Sequence, residues 1–308
     1  MIGAVSRPGN DGLKSFPYDN NQGEYFMRSF FIAFLSLLMG CFLMAASIEA
    51  SALNAYRFGI VCAISAEADP IIQHIDHLQT IYQNHVKYFI GDIKSTPVVL
   101  TISGVGIANA AISTALLIER FQPDYLVFSG SAARIDEKLH IGDVVLSRAV
   151  YALDYGNPGS VTPDISLPMP NPIRGVKDPL YFYASKQLLE PYQKLDAPGL
   201  LKDAHDATGK VLPAKIVIGL LATSEHFPND DRDASRMAQN HVEAVSMEGS
   251  GFMKACWIFQ KDCIVIRGIS NVVGLSVKNP SLAWNKDNEA LAEWNAGQVT
   301  TRLIESFH

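Results

Sequence analysis

Several things are scarce in this sequence. Charged residues make up only 18% of the 308 positions, and 25 Lys and Arg stand against 31 Asp and Glu, for a net charge of −6. A protein that grips nucleic-acid polymers carries a basic surplus, so that class is excluded. Cysteine occurs four times, with no C-x-x-C pair and no Cys/His spacing suited to zinc, and no metal site is expected. Cys62, Cys256 and Cys263 lie in apolar runs, where buried free thiols are common; a Cys256–Cys263 pair is the alternative, which only the fold decides. A dinucleotide fingerprint is also missing, because Asn109 stands where the third glycine after Gly104 and Gly106 would fall. No internal repeat and no linker interrupt the chain after residue 53.

Hydrophobic residues, by contrast, reach 48%, and part of that share is concentrated near the start. Arg28 precedes an apolar run from Phe30 to Ala46, and small residues follow at Ala50 and Ala52. This is the plan of a secretory signal, with cleavage expected after Ala52 and a periplasmic or secreted product. The run is about seventeen residues long, the lower limit for a bilayer span, so an uncleaved anchor is the alternative. Residues 1–26 are rich in Gly, Asn and Asp without apolar periodicity, and read as a disordered extension or an early start site. The division expected is therefore 1–26, a signal over 27–52, and one domain over 53–308.

Within that domain, buried-strand runs occur at 56–64, 86–93, 98–103, 124–130, 141–147, 215–224 and 263–270. Between the runs ending at 103 and beginning at 124, IANAAISTALLIERF carries apolar residues at helical spacing. Strand, glycine turn, helix and strand make a βαβ unit, so the fold class is α/β, a single domain with a central mixed sheet flanked by helices. A closing helix is expected from about Asn288 to Ser306. Six prolines between 156 and 179 mark a long surface loop, either a lid or an interface.

Ligands of open α/β sheets collect beyond the C-terminal ends of the strands. Glu67 stands after the first strand, Ser103 and Gly104 after the third, and Met247 with Glu248 before a helix. A carboxylate at Glu67 can act as a general base, or simply sit in a helix first turn. Glu248, between apolar and small residues, can accept from two adjacent hydroxyls or serve a helix N-terminus. The Gly104/Gly106 turn exposes N–H groups to a ligand or is a tight turn alone.

Five segments taken together resemble the nucleoside phosphorylase/nucleosidase superfamily, most closely its 5′-methylthioadenosine/S-adenosylhomocysteine nucleosidase branch. They are FGIVCAISAEAD, VVLTISGVGIANAAISTALLIERFQPDYLVFSGSA, LHIGDVVLS, VSMEGSGF and CIVIRGISN, in family order. The resemblance implies that Glu67 contacts the attacking water, that Met247 and Glu248 line and hold the ribose, and that Phe227 lies against the purine. Ser103 and Gly104 fall at the turn beside ribose and water. Two departures matter. Asn271 stands where adenine-specific members carry an aspartic acid; an amide oxygen accepts from N7–H while its NH₂ donates to a 6-oxo group, which favours hypoxanthine or guanine. ISNVVG followed by Trp284 is similar to futalosine hydrolase. Phe128 stands where phosphorylase members place an arginine, which favours water over phosphate, although Arg134 and Arg267 are near in sequence. The resemblance thus implies a purine nucleosidase without cofactor, acting on a small-molecule nucleoside and forming a homodimer or larger homo-oligomer; the signal plan of residues 27–52 adds that it touches a membrane only through its export signal. A phosphate-dependent phosphorylase and an inert nucleoside-binding protein are the alternatives.

Overall fold

In the computed structural model the described residues are 56–307, less 84, 154, 156–171, 174, 196–198, 207, 228–230 and 275–281. The proposed signal and most of the proline-rich loop lie outside them. They fall in a compact unit running from Leu53 to His308.

The strands are β1 (Phe58–Cys62), β2 (Asp76–Gln83), β3 (Val86–Ile93), β4 (Thr96–Ile102), β5 (Tyr125–Arg134), β6 (Val144–Ala152), β7 (Phe182–Tyr183), β8 (Ala204–His205), β9 (Val211–Leu212), β10 (Ile216–Thr223), β11 (Ala244–Ser246) and β12 (Asp262–Val272). The helices are α1 (Ser65–Ile72), α2 (Ile107–Phe121), α3 (Lys186–Leu189), α4 (Tyr192–Leu195), α5 (Asp231–Gln239), α6 (Gly249–Phe259) and α7 (Lys286–Glu305). The mixed sheet runs β11-β10-β6-β12-β5-β1-β4-β3-β2, and β11 also pairs with β5, so that half of the sheet curls back on itself. This is the α/β single domain anticipated from the alternating pattern.

β1 is central and parallel to both β4 and β5, and all five of its residues are buried, which is why its run is continuously apolar. β12 reads the same way for the same reason: it lies parallel to β5 and antiparallel to β6, with only Asp262 exposed. Helix α7 closes over β12 at a glycine. A β-carbon on Gly268 would lie 2.0 Å from the carbonyl oxygen of Ala292, so any side chain there lifts the helix. Gly251 plays the same part for α6, where a β-carbon would meet the Ile107 carbonyl oxygen at 2.1 Å. The first close approach sets α7 against the sheet, and the second sets α6 against the start of α2.

The cysteines depart from the free-thiol expectation. Cys256 and Cys263 form a disulfide with Cα atoms 6.3 Å apart, and among the described residues Cys62 is the free cysteine. The reason lies in the turn: α6 ends at Phe259 and β12 starts at Asp262, so chain reversal brings positions seven apart face to face.

Candidate active site

A cavity of about 300 Å³ opens at the C-terminal ends of β1, β5, β11 and β12. Glu67, Phe227, Met247, Glu248 and Asn271, all singled out from the sequence, line it together. Ser103 and Gly104 do not; they stand just behind Val105, which does. The Ser103 hydroxyl is spent on the carbonyls of Cys62 (3.3 Å) and Gly104 (2.8 Å), and Gly104, at φ +85°, makes the turn that a side chain would strain. In this structure they shape the loop that carries Val105 to the cavity.

Glu67 sits in the first turn of α1, yet it points inward and is buried. Its Oε2 accepts from the backbone N–H of Ala63 at 2.7 Å and Ile64 at 3.4 Å, and its Oε1 from Ser131 N–H at 2.9 Å. Glu67 is thus a helix-start carboxylate that also faces the cavity. Glu248, equally buried, precedes α6 and accepts from Gly106 N–H at 3.3 Å and Met247 N–H at 3.2 Å. The α2 start is satisfied from outside the helix, by Glu248 at Gly106 and by Glu225, whose Oε2 accepts from Ile107 N–H at 2.9 Å.

One guanidinium ties the two acids together. Arg267, fully buried on β12, donates to Glu248 Oε2 at 3.0 Å, lies 3.7 Å from Glu67 Oε1 and donates to Ser131 O at 3.2 Å. Its guanidinium carbon is 4.5 Å from the Phe128 ring centroid. Gly130 pairs with Arg267 across the β5–β12 ladder, and a β-carbon there would sit 2.3 Å from Glu67 Oε1 and 2.5 Å from Arg267 Nη1. Glycine at 130 is what lets the ion pair cross the strand. One cation among two buried carboxylates leaves a surplus of negative charge. Burial pushes the Glu67 carboxyl up to about 6, with Arg267 pulling it back and Glu248 adding to the rise.

Asn271 is buried, and its Oδ1 accepts from the Ser270 hydroxyl at 2.8 Å. Asn271 pairs with Ala133 on β5, two residues beyond Ser131, whose N–H holds Glu67. At about 3.3 Å per residue the amide therefore lies roughly 7 Å further along the strand from the carboxylate anchor. Phe227 and Trp284, both about half exposed, border the same cavity.

Three residues escape a reading of the sequence as site members: Arg267, Trp284 and Glu289, the last two being cavity-lining and Arg267 acting behind the wall. Arg267 had a visible signal, a charge inside the apolar run CIVIRGIS, which must be paired if that run is buried. Trp284 was marked only through the resemblance to futalosine hydrolase, and Glu289 had no signal, since it belongs to the first turn of a helix whose approach to the sheet depends on Gly268.

Two opposed carboxylates on one arginine, an amide further along, and aromatic faces at the mouth define an α/β protein of nucleoside phosphorylase-like fold with a nucleoside-sized site. The chain belongs to the phosphorylase superfamily, whose family model matches residues 57–305. It is 30% identical over 221 residues to a 5′-methylthioadenosine/S-adenosylhomocysteine nucleosidase of Staphylococcus aureus, spanning 70% of this chain and 86% of the relative. Its fold is similar to that of the same kind of nucleosidase from Colwellia psychrerythraea in complex with adenine, with a TM-score of 0.67 at 24% identity over 82% and 96% of the two chains. The futalosine hydrolase of Helicobacter pylori superposes with a TM-score of 0.63 at 16% identity over 82% and 99%.

Proposed function

We propose that this protein is an exported purine nucleosidase that cleaves the N-glycosidic bond of a 6-oxopurine nucleoside with water. The observation that carries the reading is the Glu67–Arg267–Glu248 arrangement beside Asn271 in one cavity. In the reaction, Glu248 accepts from the ribose hydroxyls, and Phe227 and Trp284 hold the base between their faces. As the C1′–N9 bond lengthens, positive charge grows on the ribose and negative charge on the purine. Glu67 orients a water, takes its proton and delivers the oxygen to C1′; the purine leaves with the C1′–N9 electron pair and takes a proton from solvent at N7, where Asn271 Oδ1 accepts from the new N7–H while its NH₂ donates to O6. Positioning and fixed dipoles in a water-poor site supply the rate.

Water as nucleophile is supported by where the arginines are. Arg267 is engaged by the two carboxylates, and Arg134 donates to the carbonyls of Glu137 (3.0 Å) and Leu139, so neither lines the cavity. Export is supported by the disulfide, a bond that persists in oxidising compartments. Assembly as a dimer or larger homo-oligomer is supported by α2, which exposes Ile112 (60%) and Leu116 (37%) beside an apolar recess lined by Ile107, Ala108 and Ala111.

Release of free base and ribose from inosine, guanosine and 5′-methylthioadenosine in phosphate-free buffer, followed by chromatography, tests the central claim. Base release from the 6-oxopurine nucleosides without phosphate is expected. Release that begins only when phosphate is added overturns it.

A further inference from the structure

Four consecutive residues after β10 go to four different places, and one of them has no part in the reaction just described. Ser224 is buried, and its N–H donates at 2.9 Å to the carbonyl of Ser246, which lines the cavity from β11. Glu225 Oε2 accepts from Ile107 N–H at the start of α2. Phe227 borders the cavity and is 54% exposed, so side-chain packing does little to place it. His226, which does not line the cavity, reaches α5 instead.

The His226 ring joins two elements. Nδ1 is 3.3 Å from the Ser224 hydroxyl, and Nε2 is 3.3 Å from Oδ2 of Asp233 in the first turn of α5. A carboxylate only accepts, so Nε2 carries the hydrogen, and the Nδ1 lone pair of the neutral ring takes the Ser224 O–H. Asp233 is steadied in turn by Arg236, whose Nη2 lies 3.7 Å from its Oδ1 and donates to Leu153 O at 3.4 Å. Helix α5 itself is seated by Met237, which is fully buried in the core. His226 and Asp233 are seven positions apart, and Phe227 lies between them in the chain. The imidazole therefore closes a short loop whose first member is the aromatic residue at the cavity border.

Resting on the purine nucleosidase reading, we infer that His226 is a positioning residue: it clasps the end of β10 to α5 and so holds the Phe227 ring where a purine can lie against it. The imidazole acts through its neighbour and touches no ligand. Without the clasp the half-exposed ring leaves its place for part of the time, and its contribution to binding falls in proportion. Contact between ring and base is made before and during bond breakage alike. The loss therefore belongs to binding and not to the chemical step.

The experiment is a double-mutant cycle on the whole protein, with binding read apart from turnover. Affinity for the free bases hypoxanthine and adenine is measured by isothermal titration for wild type, His226→Ala, Phe227→Ala and the double variant, alongside kcat and KM for inosine and guanosine. Phe227→Ala is expected to weaken base binding by about tenfold, the usual cost of a lost contact between base and aromatic ring. His226→Ala is expected to weaken it by about fivefold, the upper range for a pairing whose imidazole is 60% exposed. In the Phe227→Ala background the same change at His226 should cost nothing further, because its effect passes through the ring that is gone. KM should rise with the loss of affinity while kcat stays within about twofold. Asp233→Asn, whose amide oxygen still accepts from Nε2–H, should keep most of the affinity, whereas Asp233→Ala should match His226→Ala. No loss at His226, or an equal loss with and without Phe227, overturns the assignment. Coupled base binding in a protein that cleaves no nucleoside supports the assignment while ending the nucleosidase reading, and a wild type that binds neither base overturns both.

Discussion

At the scale of single residues, the site rests on a carboxylate kept basic by its surroundings. Glu67 acts as a base only when ionised, and burial lifts its pKa to about 6. kcat/KM should therefore be flat near neutrality and fall as pH drops through about 6, as a pH–rate profile will read. Glu67→Gln keeps the hydrogen-bond length but removes the base, so kcat should fall by about 10² to 10⁴ and the acid limb should vanish. Wild-type activity that survives this substitution excludes Glu67 as the base. Asn271→Asp tests the base side independently: an aspartic acid can protonate N7, so adenosine turnover should rise relative to inosine. These residues were legible because each is a polar group abutting an apolar run. Arg267 was legible as an oddity, but its partners come from α1 and from the residue before α6, which no local pattern reveals.

At the scale of elements, legibility followed burial. β3 and α2 fall where the sequence places them, and β1, β4, β5, β10 and β12 lie within a few residues of their apolar runs, because each has a strong periodic or fully apolar signature. β2 escaped, since the edge strand DHLQTIYQ is exposed along nearly its whole length and shows no inward face. β11, three residues long, and α5, a mostly polar segment, are set by tertiary pairing. Helix α7 carries a prediction of its own through Glu293. Its folded-state pKa, raised to about 8, exceeds the usual carboxyl value near 4.5 in the unfolded chain. The folded state thus binds the extra proton between those values, and stability must fall as pH rises from about 4.5 to about 8. Glu293→Gln, a neutral group at every pH, should remove this part of the decline: midpoints of urea unfolding for wild type and variant should diverge towards pH 8, with the variant the more stable. Parallel pH dependences in the two proteins would mean that Glu293 is not the proton holder.

At the scale of the whole molecule, the disulfide and the N-terminal apolar run bear on one another. Cys256 lies near the end of α6, the helix that begins just after Glu248, and Cys263 lies at the start of β12, the strand that carries Arg267 and Asn271. The bond joins these two elements at the ends away from the cavity. Closing a loop over a separation of seven residues contributes roughly 2–3 kcal/mol on the chain-entropy model. Reduction should therefore lower the thermal midpoint while leaving KM for nucleoside nearly unchanged, because the cavity-lining residues are elsewhere. The same bond makes the export proposal decidable. A chain that stays in a reducing cytoplasm keeps both thiols, whereas one translocated through its residue 27–52 segment meets oxidants before it is fully folded. Expressed from its own start in a bacterial host, the protein should be recovered from the periplasm beginning near residue 53, with Cys256 and Cys263 unreactive to alkylation until reduced and Cys62 shielded until unfolding. Intact mass after alkylation reads the cut and the bond together. A full-length chain retained in the cytoplasm with three alkylatable mature-domain thiols after unfolding would reject export, and would leave the nucleosidase site as a cytoplasmic one.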